Sequence, residues 1–317
     1  MENRCLYCYE PLAPNEVDFH PKCSKKIFGT DTPPLLPYSE NQLDELALEI
    51  IRSQVTITGV QPKLSLHLEP AGSKAAPQRL TIVGLWGGYI LNPPSQRFSQ
   101  LPEIEDVTMH MAEAVRIATV PHSLIRMQSG SLAYLTRRID RYRKGKLHME
   151  DMCQLTGRLT ENKYHGSYEQ IAKAILRYSA NPGLDVINFF EVVLFSFLTG
   201  NADMHLKNFS LIDIPKKGGI NLAPSYDLVS TALVLPSDKE ELALTLNGKK
   251  KRITLKDFKT ALDSLSVNEV VQERMFTKFR KVKPVWEGLI DRSFLDKEKQ
   301  EAYKELLRKK YRQIRLV

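Results

Sequence analysis

No apolar run in the 317-residue sequence approaches the ~20 residues that a membrane helix requires, and Met1-Glu-Asn-Arg-Cys5 lacks the long apolar stretch of a secretory leader. The expectation is a cytoplasmic protein with no membrane partner. Cysteine is scarce. Four residues, three of them beside a histidine near the N-terminus, argue against a disulfide framework and for metal binding or free thiols in a reducing compartment. The fourth, Cys153, sits in amphipathic sequence and reads as a buried structural thiol. Repeats and low-complexity segments are missing, so repeat architectures fall away. Acidic residues are outnumbered 37 to 45, and the formal charge of +8 permits an acidic or nucleic-acid partner without requiring one. The basic clusters Lys249 to Arg252 and Arg308 to Arg315 read as solvated faces.

What is present is an ordinary globular composition, 42% hydrophobic and 26% charged, long enough for two lobes at ~150 residues each. The first 30 residues hold Cys5-Leu-Tyr-Cys8 and His20-Pro-Lys-Cys23. Cys-x2-Cys-x11-His-x2-Cys provides two tight ligand pairs around a loop, as a four-ligand, structural zinc site requires. The alternative is a set of free thiols packed on the next domain. A Pro-rich connector, Thr32 to Pro37, separates this element from a helix that starts at Ser39, with Gln42 placed for a capping box and Leu43, Leu46, Ala47 and Ile50 on one face.

The stretch that organises the chain is Phe197 to Ser210, a loop expected between the apolar segment Phe189 to Leu198 and a short strand, Phe209 to Ile212. Asp203 and Asn208 stand five apart, the spacing of a protein-kinase catalytic loop, in which the Asp accepts the substrate proton and the Asn holds Mg2+. Lys207 between them is a candidate to neutralise charge on a transferring phosphoryl group. Alone, such a pair arises readily by chance. Asp227, nineteen residues beyond Asn208 and past the hairpin-like Pro215 to Gly219, adds a second acidic metal ligand.

Upstream, Thr56 to Leu66 reads as a hydroxyl-rich turn at Gly59 feeding a strand, with Thr58, Gly59 and Val60 able to present backbone amides to phosphate and Lys63 in reach. An ordinary strand-to-strand turn explains the same residues. Strand-like runs follow at 80–85, 88–91 and 132–139, with a helix over 102–117 that carries Glu105. From 150 onward the pattern becomes helical, over 150–157, 167–178, 184–198, 254–264, 267–281 and 296–313. The fold class expected is α+β: a bilobal, protein-kinase-like arrangement with a small antiparallel-sheet N-lobe at 31–145, a larger helical C-lobe at 146–317, and the Cys/His knuckle-like element at 1–30.

Gly200 to Ser210 and Pro224 to Leu228 closely resemble the core of HipA-type serine/threonine kinases, toxins of bacterial toxin–antitoxin systems. Further pieces fall in the same order: Thr58 to Ser65, Tyr89 to Pro94, Leu101 to Glu105, Arg138 to Arg141 and Glu150 to Gln154. The resemblance implies Asp203 as catalytic base, Asn208 and Asp227 as Mg2+ ligands, ATP as co-substrate, and 56–63 as a phosphate-covering loop. It also implies self-phosphorylation in that loop, at Thr56 or Thr58 with Ser53 behind them. The chain looks like the short, HipT-like form. That form implies a small HipS-like partner protein, a helix-turn-helix antitoxin through which DNA is contacted indirectly, and an aminoacyl-tRNA synthetase as substrate. One departure is Asn92, where the family usually has a lysine to pair with ATP phosphates and with Glu105.

Three other readings remain open on the residues. A pseudokinase binding antitoxin or partner proteins is suggested by Asn92. An RNA binder would use the knuckle with Tyr7, Tyr9 and Phe19, and a small-molecule phosphotransferase would share the Asp-x4-Asn loop.

Overall fold

The computed structural model describes residues 3–43, 45–46, 63–69, 78–83, 86–142, 145–215 and 218–316. The chain divides into two compact units. One comprises Met1–Asp106, Val120–Ile139 and Arg292–Phe294, the other Val107–Thr119, Asp140–Asp291 and Leu295–Val317.

The first unit is built on a five-stranded antiparallel sheet, in the order β2-β1-β3-β5-β4. Its strands are β1 (Leu64–Glu69), β2 (Arg79–Ile82), β3 (Tyr89–Asn92), β4 (His122–Arg126) and β5 (Leu132–Arg137). Leu64, Leu66, Leu80, Leu91, Ala133 and Leu135 alternate inward along their strands, as a half-buried sheet demands, and all are fully or nearly fully buried. The expectation had no strand at 122–126. Four of its five residues are buried, so no polar alternation announces it.

The Cys/His element covers this sheet. The helix Pro21–Phe28 begins with proline at its first turn and ends at Gly29 in the left-handed conformation, whose N–H closes on Lys25 O. Cys5, Leu6, Phe19, Cys23, Ile27 and Phe28 join the sheet leucines in one core. Leu6 O accepts hydrogen bonds from Leu124 N and Ser123 Oγ, so the outer edge of β4 has a local partner. The connector contributes as well, with Leu35 bridging Arg79 and Leu36 bridging Met127. Helical backbone is present at 40–43 and 45–46, and Gln42 Oε1 accepts from Ser39 N. Ala47, Ile50 and Ser53 lie outside the described residues.

The second unit is mainly helical, with helices Tyr168–Tyr178, Pro182–Thr199, Leu255–Ser264, Glu269–Arg292 (its last residue counted with the first unit) and Lys297–Gln313. Two small ladders interrupt them: β6 (Arg141–Tyr142) with β7 (Gly145–Lys146), and a three-stranded sheet of β8 (Met149–Asp151), β9 (Ser210–Asp213) and β10 (Ile220–Leu222), in which β9 is central. The helix Pro182–Thr199 is apolar and long enough to cross a membrane by composition, but most of it is buried among its own unit's helices. Trp286 closes the core. Its Nε1 donates to Met111 O at 2.7 Å and its ring meets Phe195, Phe279 and Tyr311 edge-on. This packing carries the helix from Glu269 through Pro284 to Arg292, beyond the expected end at 281.

The helix Pro182–Thr199 stops at Gly200, which has φ +69° and gives its N–H to the last turn. A Cβ there would lie 2.8 Å from both Ala232 Cβ and Leu306 Cδ2. Gly200→Ala is therefore expected to destabilise the protein by at least about 1–2 kcal/mol from the backbone alone, with the clash added. Thermal unfolding of the variant measures this, and an unchanged midpoint would show that the turn relaxes freely.

Candidate functional site

The loop after Gly200 is polar yet mostly buried, so each backbone group needs a partner. Asn201 Oδ1 accepts from Asp203 N at 3.0 Å, Thr231 Oγ1 accepts from Ala202 N at 2.8 Å, and Asp203 O accepts from His205 N at 2.8 Å. Asn208 Nδ2 donates to Asp203 O at 2.8 Å. The five-residue spacing seen in the sequence is thus realised as a direct contact, and it spends the amide nitrogen of Asn208. Its side-chain oxygen is the group left over, a hard donor of the kind Mg2+ takes.

Asp203 is half-buried, and its Oδ1 accepts from the Tyr164 hydroxyl at 2.5 Å. The Tyr164 ring is 39% exposed, but partial desolvation of its hydroxyl, then the Asp203 carboxylate, raise the phenol's pKa above its ordinary value, so it stays a donor. Tyr164 also packs edge-on against His205, with ring centroids 4.9 Å apart. Burial lowers the pKa of His205 against the opposing pull of Asp203, and the imidazole is neutral near pH 7. Asp227 is half-buried and holds φ +57°, a conformation that costs a non-glycine residue about 1 kcal/mol or more and collects at functional sites. Next to it, the half-buried Tyr226 places its hydroxyl against Ser210 Oγ and donates to Lys207 O, tying the Asp227 segment to the loop.

Lys207 turns to another partner. Its Nζ is 2.6 Å from Asp151 Oδ2, and the same carboxylate caps the short helix Met152–Leu155 through a full capping box with Gln154. Cys153, in that helix, is buried.

In the first unit, Asn92 ends β3, opposite Tyr134, and its Nδ2 donates to Glu105 Oε2 at 3.0 Å. Both residues are buried, and the Asn92 Oδ1 atom has no hydrogen-bond partner among the described residues. Lys63 is exposed just before β1, whereas Thr56, Thr58, Gly59 and Val60 lie outside the described residues. The four atoms expected to bind zinc come together, with Cys5, Cys8, His20 and Cys23 all within 4.8 Å of one another. His20 Nε2 donates to Pro11 O at 3.0 Å, which leaves the Nδ1 lone pair towards Cys8 Sγ at 3.5 Å and Cys23 Sγ at 3.8 Å. Burial, with Cys5 next, pushes the Cys23 thiol up to about 12. One residue beyond Cys8, the buried Tyr9 hydroxyl donates to Asp106 Oδ2 at 2.6 Å, and His122 Nδ1 donates to Asp106 Oδ1 at 2.9 Å.

The HipA-like C-terminal domain model matches residues 55–286. The chain belongs to the HipA-like family. Y4mE of Sinorhizobium fredii, whose name marks it as an inferred kinase, is 32% identical over 211 residues, covering 64% of this chain and 47% of its own length. The chain thus spans about half of that relative. Among solved structures, Shewanella oneidensis HipA, in a complex with HipB and operator DNA, superposes with a TM-score of 0.67 at 20% identity, covering 84% of this chain and 70% of HipA. The Helicobacter pylori proinflammatory kinase CtkA follows at 0.54 and 15%, covering 79% of this chain and 93% of CtkA. The HipA-like chain therefore has the kinase-like fold, mixed helix and antiparallel sheet, that its motifs led one to expect.

Tyr164, Asp106 and His122 were not anticipated, because nothing local marks a residue whose partner is 39 or 97 positions away. Asp151 carried a visible signal, the Asp-x-x-Gln capping pattern, but its pairing with Lys207 did not. Asp151→Ala removes both cap and ion pair and should cost about 1–2 kcal/mol, mostly from the cap, since part-exposed pairs contribute little. A urea midpoint equal to that of the wild type would show that neither contact matters.

Proposed function

We propose that this HipA-like chain is an ATP- and Mg2+-dependent serine/threonine protein kinase, acting in the cytoplasm as the toxin of a bacterial toxin–antitoxin system. The observation that carries the reading is the loop in which Asn208 holds the backbone of Asp203 while both side chains keep oxygen atoms for chemistry. Asp203 takes the proton of the acceptor hydroxyl. Asn208 Oδ1 and the Asp227 carboxylate hold Mg2+, which when bound neutralises charge on the phosphates. Lys63 and residues 56–60 cover the phosphates, and Thr56 or Thr58 is the self-phosphorylated hydroxyl. Lys207 has its charge balanced by Asp151 and acts on the phosphoryl group only if that pair opens.

In the same reading an aminoacyl-tRNA synthetase is the substrate, and a helix-turn-helix antitoxin and a small HipS-like protein are the partners, with DNA reached through the antitoxin. Residues 31–145 serve the nucleotide and 146–317 the transfer. The 1–30 element binds one structural Zn2+ through Cys5, Cys8, His20 and Cys23, a reading supported by the locked His20 tautomer.

A second reading, a pseudokinase that binds partner proteins, is favoured by Asn92. Its amide donates a hydrogen bond to Glu105 but places no positive charge there, and its oxygen is buried with no partner among the described residues. Intact-mass measurement before and after Mg-ATP, on wild type, Asp203→Ala and Asn92→Lys, separates the two. The kinase reading expects phosphate on the wild type and a loss of about 10²–10⁴-fold in rate for Asp203→Ala. Transfer that survives Asp203→Ala would remove Asp203 from the mechanism. Phosphate that appears only in Asn92→Lys, through a charge-assisted contact of about 1.5 kcal/mol or more, would favour the pseudokinase.

For zinc, metal analysis should find one ion per chain. Re-adding Zn2+ to stripped protein at about 100 times its Kd should restore about 2.7 kcal/mol of stability. Metal-free protein whose unfolding is indifferent to added Zn2+ would leave the four residues as free thiols.

A further inference from the structure

The carboxylate of Asp203 is not held by its own loop alone. The segment that reaches it comes from the turn Thr160–Asn162, where Lys163 N closes on Thr160 O and Lys163 O accepts from Leu206 N at 3.1 Å. Tyr164 is thereby fastened to the catalytic loop by backbone on one side and by its ring on His205 on the other. The Lys163 ammonium stands 5.1 Å over that ring. From this anchored position the phenol donates to Oδ1 of Asp203 in a short hydrogen bond, at the lower limit for a hydroxyl on a carboxylate. Oδ2 of Asp203 has no hydrogen-bond partner among the described residues.

The geometry points to Tyr164 as the positioning residue of the base: it fixes Oδ1, sets the rotation of the carboxylate, and leaves Oδ2 to receive the acceptor proton. This rests on the kinase reading of Asp203. In the step it serves, the acceptor oxygen forms a bond to the γ-phosphorus, and the bond from that phosphorus to the β,γ-bridging oxygen breaks. ADP leaves with the electron pair, and the acceptor proton passes to Oδ2. An acceptor-like blocking role fits less well, because a hydroxyl that merely filled the acceptor position would not need a ring and backbone locked into the loop. A phenol, neutral at physiological pH by its ordinary pKa of about 10 and raised further by partial desolvation and by Asp203, donates throughout that range and does not compete for the proton.

Phenylalanine keeps the ring and removes only the donor. The test compares full-length wild type with Tyr164→Phe by intact mass, reading the rate constant of self-phosphorylation at saturating Mg-ATP, the ATP concentration giving half that rate, and the thermal midpoint. The expected result is a rate lower by about 10- to 100-fold, as for other outer residues that orient a reacting group, with half-saturation within about twofold of wild type and an unmoved midpoint. A wild-type rate in Tyr164→Phe overturns the inference while leaving the kinase reading intact. A loss accompanied by a matching rise in half-saturating ATP, or by a fall in the midpoint, also overturns it, in favour of a structural role. A wild type that takes no phosphate overturns both.

Discussion

A polar loop that leaves the end of a buried apolar helix has to satisfy its backbone from whatever is nearby, because water is not available to do it. Residues 200–208 meet that demand with a left-handed glycine, the Asn201 and Asn208 amides, the Thr231 hydroxyl and the carbonyl of Lys163. These bonds leave the Asp203 backbone few alternatives. The placement of its carboxylate is thus a by-product of backbone accounting, and the same bonds engage the Asn208 amide nitrogen rather than its oxygen. The order of this loop comes from the cost of leaving buried polar groups unpaired.

The charges around the loop are balanced locally. Lys207, the cation nearest to the pair in sequence, is held by Asp151, while Asp203 relies on a neutral phenol and Asp227 sits on a strained backbone. Hydroxyl donors, unlike ammonium groups, orient a carboxylate without cancelling its charge. In the proposed reading, Asp203 would need that charge to accept a proton, and Asp227 its own to hold Mg2+. The contrast with Asn92 is instructive. There a neutral amide donates to the Glu105 carboxylate and brings no charge of its own.

The first unit solves a different problem. Its sheet is small, and the Cys/His element supplies a helix, several apolar side chains and a backbone partner for the β4 edge. The buried Asp106 carboxylate is tolerable because Tyr9 and His122 each give it a donor, one from beside the cysteine cluster and one from β4. That triad ties the first ten residues to the helix that also carries Glu105.

By itself the sequence determined the kinase-like class and the helices with clean periodicity such as Tyr168–Tyr178, and it singled out Asp203, Asn208 and Asp227 as candidates and Cys5, Cys8, His20 and Cys23 as a set that the fold brings together. These signals are local: spacing, periodicity and motif order survive in one dimension. Tertiary structure decided the rest. It continued the helix Glu269–Arg292 through Pro284, because burying Trp286 outweighs one lost backbone bond, and it made a strand of 122–126, because that strand is buried too thoroughly to alternate. It also gave Lys207 to Asp151 and Tyr164 to Asp203. Partners 56 and 39 residues apart meet only after the chain has folded, since a hydrogen bond depends on distance in space and the sequence records only distance along the chain.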